Sequence, residues 1–255
     1  RWEAPRLEYA ILDADDSNFV DEYTLTYAQQ SAMDPTGDEL EAFVAEMSAV
    51  LQANNGLDVY KKDSFHGKLV LFDFRSHLYA PLICLEKSNL KIQLSPVALN
   101  TDEMRFVDYL KAYVDNHAAE LVDKSLYLLR NKSKVGMGFF EAGNFYPDYI
   151  LWIDTPETQY ISFIDPKGLM HIRPDDPKIE FYKTIKDLET RLSPTADGKR
   201  IVLNSFIMAG TRSSDLRMWW STPEVDADRA YREARNVYTL DNDECVESMM
   251  RKILQ

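Results

Sequence analysis

Two apolar runs held apart by only four residues constrain this chain more than anything else in it. Residues 145–154 (FYPDYILWID) and 159–166 (QYISFIDP) are rich in β-branched and aromatic side chains, and Thr155-Pro156-Glu157-Thr158 between them has turn character. Segments of this length and content are strands, and so short a link makes them a hairpin of neighbours.

The flanking sequence says what sheet they belong to. Asn100-Thr101-Asp102-Glu103 is a helix-start signature, with Asn100 as N-cap and Glu103 at the third helical position. Phe106, Val107, Leu110 and Val114 continue it as one apolar stripe, so a helix is expected to about residue 116. Residues 126–129 extend that helix or form a first strand, with strand the preferred reading, and residues 135–142 (VGMGFFEA) are an apolar stretch broken by glycines. Asp175-Asp176-Pro177 opens a second helix, with Ile179, Tyr182, Ile185 and Leu188 on its apolar face. Residues 199–210 (KRIVLNSFIMAG) form a further buried strand. The order helix, strands, helix, strand predicts an α/β domain with a mixed sheet flanked by helices. A polar loop at 211–214, the Met218-Trp219-Trp220 run, a helix over 223–234, a short strand over 237–240 and a last helix from 242 are read as an elaboration of the same core.

The first 98 residues have a different character. Residues 6–14 alternate as a strand, Asp34-Pro35-Thr36-Gly37 is a turn, and residues 38–54 carry Leu40, Phe43, Val44, Met47, Val50 and Leu51 at helical spacing. Residues 68–74 and 79–85 read as strands. The expected division is a strand-rich connector or docking region over 1–98 and an α/β domain over 99–255.

Composition narrows the function classes. With 255 residues, 45% of them hydrophobic, the chain can bury a substantial core. No apolar run approaches the ~18–20 residues needed to cross a bilayer, so no membrane role is expected. The opening Arg1-Trp2-Glu3 is neither a Met start nor a leader, and reads as a piece cut from a longer protein. Two cysteines, Cys84 and Cys245, with no ligand spacing, point to a reduced and cytoplasmic protein. The net charge of −13 argues against indiscriminate DNA binding, but residues 1–56 alone carry −10 of it, leaving residues 57–255 at −3. The acidic stretch is either a solvated face or a surface that docks on a basic partner.

The chemistry lies where acids interrupt the apolar strands. Asp148 follows a proline at the head of one, Asp165 ends the next, and Lys167 sits two positions later. Hairpin pairing brings Asp148 and Asp165 to one sheet end, and residues two apart in a strand face the same side, so Asp165 and Lys167 point into one site. This is the PD-(D/E)xK pattern of metal-dependent nucleases. Asp148, Asp165 and Lys167 are the expected catalytic residues. Asp148, Asp165 and the Pro166 carbonyl are the expected ligands of Mg²⁺, a hard cation that takes oxygen donors, with Mn²⁺ as a substitute. The ammonium would orient the attacking water and stabilise charge developing on phosphorus.

Other candidates are open to two readings. Glu103 is a capping-box residue or a fourth metal ligand, with Glu120 and Glu141 as weaker rivals. Lys124, Arg130, Lys132 and Lys134 lie in a stretch without an acid, a DNA contact or a solvated basic face. Gly168 lets a phosphate approach the backbone or simply makes a turn. His171 follows the motif closely enough to reach substrate, although the four histidines have no zinc spacing and read as structural. Trp219-Trp220 is packing or a base-stacking platform.

The stretches VGMGFFEAGNFYPDYILWID and QYISFIDPKGL resemble the C-terminal endonuclease region of type III restriction enzyme helicase subunits and related DEAD/DEAH-box defence helicases. HLYAPLICLE, KIQLSPVALNTDEMRFVDYL and LYLLRN extend the resemblance over about residues 74–168. It implies a restriction-endonuclease-like fold and Mg²⁺-dependent cleavage of DNA. It also implies an ATP-driven helicase motor in the same chain or complex, and a methyltransferase or other defence subunit as a further partner. The family's two acids and lysine fall on Asp148, Asp165 and Lys167, the second acid being Asp where Glu is commoner. No phosphate-binding GxxxxGK[ST] loop occurs, so the motor is not in these residues. The rival expectations are a non-catalytic docking module of a helicase assembly, and an RNA or single-strand nuclease using the same metal site.

Overall fold

The structure is a computed structural model. It describes residues 99–131, 138, 139, 142, 145–220 and 225–255, with the backbone of five strands and four helical positions before them.

A five-stranded mixed open sheet organises the described chain. Its strands are β6 (Ser125–Arg130), β7 (Tyr149–Asp154), β8 (Thr158–Lys167), β9 (Arg200–Ala209) and β10 (Val237–Thr239), in the spatial order β10-β9-β8-β7-β6. The β6–β7 and β7–β8 pairs are antiparallel, and β8–β9 and β9–β10 are parallel. The hairpin expected between the two apolar runs is present. Its turn closes where the Thr155 N–H donates to the Thr158 carbonyl at 2.9 Å, and the Thr155 hydroxyl accepts from the Thr158 N–H at 3.0 Å.

Helices α1 (Thr101–Asn116) and α2 (Pro177–Glu189) cover opposite faces. Phe106 of α1 packs on Tyr149, with ring centroids 5.4 Å apart. Tyr149 pairs with Ile164, so Phe163 at the alternate position faces the other way. There it meets Phe139 at 4.8 Å, which in turn meets Phe181 of α2 at 4.5 Å. Parallel strands need a crossover, and α2 supplies it between β8 and β9. The end of α2 also blunts the edge of β9, because β10 reaches only Ile207 to Ala209. Lys186 donates to the Leu203 carbonyl at 2.6 Å and Glu189 accepts from the Leu203 N–H at 2.7 Å, two side chains standing where a strand would pair.

Helices α3 (Ser213–Trp219), α4 (Val225–Glu233) and α5 (Glu244–Ile253) complete the chain. The loop expected at 211–214 therefore covers only Thr211 and Arg212, and Ser213 and Ser214 already belong to α3. Leu216 and Trp220, four apart, bury one side of that turn, which the short polar run in the sequence hides. Val246, Met249, Met250 and Ile253 of α5 extend the core.

Among the N-terminal residues, β1 (Thr24–Tyr27) pairs antiparallel with β5 (Ile92–Ser95), and β2 (Val59–Ser64), β3 (Gly67–Phe72) and β4 (Leu82–Glu86) form an antiparallel meander. Sequence reading placed strands near β3 and β4 and missed β1, β2 and β5. Thr24–Tyr27 is short and Val59–Ser64 is half polar, so neither carries a clear period. The four described positions in residues 38–45 are helical, as expected for 38–54, and the rest of that helix and the strand at 6–14 lie outside the described residues. No helix among the described residues is long and apolar enough to cross a membrane.

Candidate active site

Two prolines facing one another end the β7–β8 ladder and open the sheet where the acids sit. The last registered pair is Tyr149 with Ile164, so one step on Asp148 stands opposite Asp165, and one further Pro147 stands opposite Pro166. Neither proline has an N–H to give. The Pro147 carbonyl is taken up by Asn131, whose side-chain amide donates to it at 2.9 Å, while the Asn131 N–H donates to the Asp148 carbonyl at 2.7 Å. The Lys167 carbonyl accepts from the Gly210 N–H of the β9 side at 3.0 Å. Carbonyls alternate along a strand, so the Pro166 carbonyl points the other way, toward the β7 side and Pro147.

Into this opening come side chains from four elements. Asp165 is buried and Asp148 half-buried, and the Asp165 carboxylate acts on the Asp148 carboxyl opposite it. The Lys167 ammonium forms an ion pair with Asp165 Oδ2 and lies 5.3 Å above the Phe145 ring, which holds it on the same face as Phe163 and Asp165. Glu103 arrives from the first turn of α1. Its Oε2 accepts from the Asn100 N–H at 2.9 Å, and the Asn100 side chain accepts from the Asp102 and Glu103 N–H groups at 2.9 and 3.0 Å, a complete capping box. The same Oε2 meets the Arg130 guanidinium at 3.3 Å. Both contacts land on one oxygen, and among the described residues Glu103 Oε1 has no hydrogen bond.

Three acids here face two cations, and the excess negative charge appears as a displaced ionisation. Burial, then the Asp165 carboxylate, then Glu103, push the Asp148 carboxyl up to about 8, against a smaller opposing pull from Lys167. Burial raises Glu103 as well, while Arg130 and the Asn100 N–H hold it back. The donor set fits a hard divalent cation. It consists of carboxylate oxygens and a strand-end carbonyl, with no His or Cys, at a place where unneutralised charge is concentrated. Among the described residues no three His, Cys, Asp or Glu side chains stand together as a ready ligand cluster; Lys167 and Arg130 pair with one oxygen each of Asp165 and Glu103.

Of the expected site residues, the structure thus brings together Asp148, Asp165, Pro166, Lys167 and Glu103. Arg130 reaches the site as the partner of Glu103. Lys124 does not come to this end of the sheet. It precedes Ser125, which pairs with Asp154, whereas Arg130 pairs with Tyr149 five residues along, about 17 Å away. There Lys124 bridges Asp123 at 2.6 Å and donates to the Glu120 carbonyl at 2.8 Å, so Glu120 also lies away from the acids. Lys132, Lys134 and Glu141 lie outside the described residues. Gly168 is exposed, and a Cβ there would meet nothing nearer than the Thr211 hydroxyl at 3.9 Å, so space does not demand glycine. Sequence reading missed Asn131. An asparagine one step past an apolar strand carries no signal of its own, and only the double proline makes its amide necessary.

No family model, no curated protein and no solved structure matches the sequence.

Proposed function

We propose that this chain is the nuclease part of a larger DNA-processing protein, a Mg²⁺-dependent endonuclease of the PD-(D/E)xK kind with a restriction-endonuclease-like core. The observation that carries this reading is that the β7–β8 register sets Asp148 opposite Asp165, itself ion-paired with Lys167, at the sheet end where Pro147 and Pro166 close the ladder. The order of α1, three antiparallel strands, α2 and a parallel strand supports it, because that order delivers the two acids and the lysine from adjacent strands.

Asp148, Asp165 and the Pro166 carbonyl would hold the cation, with Glu103 Oε1 as a further oxygen donor. The ion supplies Lewis-acid polarisation of the scissile phosphate and a more acidic water. The chain's own groups do the rest. Lys167 donates hydrogen bonds to the attacking water and to a non-bridging phosphate oxygen as negative charge grows there. Arg130 keeps Glu103 oriented from the helix side, and Asn131 fixes the backbone that carries Asp148. The acidic balance of the chain supports a motor that brings DNA to the site, since few cations are available to hold phosphates.

The test is nicking of supercoiled plasmid in Mg²⁺, alongside single-stranded DNA and RNA. EDTA should abolish it, and Asp165→Asn and Lys167→Ala should each slow it by about a hundredfold or more. Normal cutting by Asp165→Asn, or cutting that survives EDTA, overturns the proposal.

A further inference from the structure

The two adjacent tryptophans do different things. Trp220 is 7% exposed and donates its indole N–H to the Ile172 carbonyl at 2.9 Å, which ties α3 to the loop after β8. Trp219 remains 43% exposed, between Met218 at 79% and, across the loop, Met170 at 50%. The His171 ring stands edge-on to Trp219, with centroids 5.0 Å apart and an interplanar angle of 86°. His171 has a φ of +71°, in the left-handed region that non-glycine residues enter at a cost. The surrounding bonds enforce it. The Leu169 N–H donates to the Thr211 hydroxyl at 2.8 Å and the Ile172 N–H to the Leu169 carbonyl at 3.1 Å. Backbone strain held in place this way belongs to ligand-contacting loops more often than to plain connections.

Position and charge say what the ligand is. His171 is four residues beyond Lys167, hence at most about 14 Å from it. Helix α3 starts where β9 ends, next to the Lys167 carbonyl. The segments 167–173 and 211–219 together carry Lys167, Arg173, Arg212 and Arg217 against Asp215 alone, in a chain whose net charge is −13. Arg173 pairs with Asp175. Arg212 and Arg217 make no ion pair among the described residues, and Arg212 is the exposed N-cap of α3, the helix that ends at Trp219. Arg217 is two residues from Trp219 in the helix, hence on its opposite side and facing Asp228 and Glu233, so Arg212 is the unpaired guanidinium left for this face. Flat rings open to solvent beside one unpaired cation suit a base with its phosphate better than an apolar peptide.

We propose that Trp219 and His171 form a stacking platform for an unpaired base of single-stranded DNA beside the cleavage site, with Arg212 on the adjoining phosphate. The proposal rests on the nuclease reading above and names the substrate form that site favours. The test is fluorescence anisotropy of a labelled oligothymidylate and of a matched duplex, on the full chain carrying Lys167→Ala so that the probes stay intact. Adding Trp219→Ala should weaken single-strand binding by about tenfold, Trp219→Phe should stay within about threefold, and duplex binding should change less than about twofold. Unchanged single-strand binding in Trp219→Ala overturns the platform. So does a loss that tracks only a fall in self-association by sedimentation, which would make Trp219 a contact between copies. Plasmid nicking by the chain with Lys167 intact is scored separately. Nicking without any Trp219 dependence of single-strand binding removes the platform alone, and Trp219-dependent binding without nicking removes the nuclease reading alone.

Discussion

Replacing Asp148 by Asn should make the metal-free protein more stable, and the gain should depend on pH. In the folded chain the Asp148 carboxyl is pushed from 3.8 up to about 8, chiefly by burial and by Asp165. An acid with a raised folded pKa keeps its proton in the folded state after the unfolded chain has lost it. Its contribution to stability is therefore complete below about pH 4 and drains away as pH rises to about 8, beyond which it is constant. Each tenfold change in an ionisation constant is worth about 1.4 kcal/mol, so a displacement of about four powers of ten sets a ceiling near 6 kcal/mol. Asp148 is only half-buried, and solvent screening brings the expected difference down to about 2–3 kcal/mol. Asn does not titrate and stays neutral beside the Asp165 carboxylate. In urea titrations with EDTA, Asp148→Asn and the parent should unfold together near pH 4, and the variant should gain about 2–3 kcal/mol near pH 8. Mg²⁺ at millimolar concentration should then stabilise the parent and not the variant, and so close the gap, because a ligand of the folded state adds RT ln(1 + [L]/Kd). A variant that is no more stable than the parent near pH 8 would show that Asp148 is not crowded by Asp165 and Glu103.

Three further outcomes follow from particular contacts. Glu103→Gln preserves the capping box and weakens the pairing with Arg130, so it should cost about 1 kcal/mol in thermal melts and raise the Mg²⁺ needed for nicking, while Glu103→Ala loses the cap as well and costs more; a Gln variant normal in both assays removes Glu103 from the site. Asp228 and Arg232 form an ion pair with side chains 4% and 6% exposed, so Asp228→Ala should destabilise by about 3–5 kcal/mol in urea, and the double change Asp228→Leu, Arg232→Met should recover most of it; equal loss in both would mean that packing, not an orphaned charge, sets the cost. The Ser162 hydroxyl is fully buried in β8 without a hydrogen-bond partner among the described residues, so Ser162→Ala should be neutral or stabilising by up to about 1 kcal/mol, and a loss above that would reveal a partner for the hydroxyl.

Much of this architecture could be read from residue order alone, for a physical reason. Period and punctuation are local properties. The apolar runs around Leu151 and Phe163, the Asn100 cap with Glu103 three residues on, and Pro177 at the start of α2 each act within one or two turns or a single strand. The strands β1, β2 and β5 escaped because they are short or half polar, and pairing across many residues, not local pattern, makes them strands. The α3 turn escaped because Ser213-Ser214-Asp215 looks like a loop until Leu216 and Trp220 find a core to enter.

The candidate site divides in the same way. The spacing of Asp148, Asp165 and Lys167 follows from hairpin pairing and two-residue alternation, so sequence suffices to bring them together. What those side chains experience is set from far away in the chain. Arg130 reads as a cation for DNA until α1 places Glu103 3.3 Å from it. Asn131 reads as nothing until Pro147 leaves a carbonyl for it to bind. Trp219 and Trp220 are chemically identical neighbours, and the core that receives Leu216 and Trp220, with the Ile172 carbonyl that takes the Trp220 indole N–H, decides which is buried and which stays in solvent. Backbone pairing is short-ranged along the chain and repeats a fixed geometry, so sequence encodes it openly. Burial, charge neutralisation and the raised carboxyl of Asp148 depend on which distant residues share a few ångströms of space, and that proximity exists only once the chain has folded.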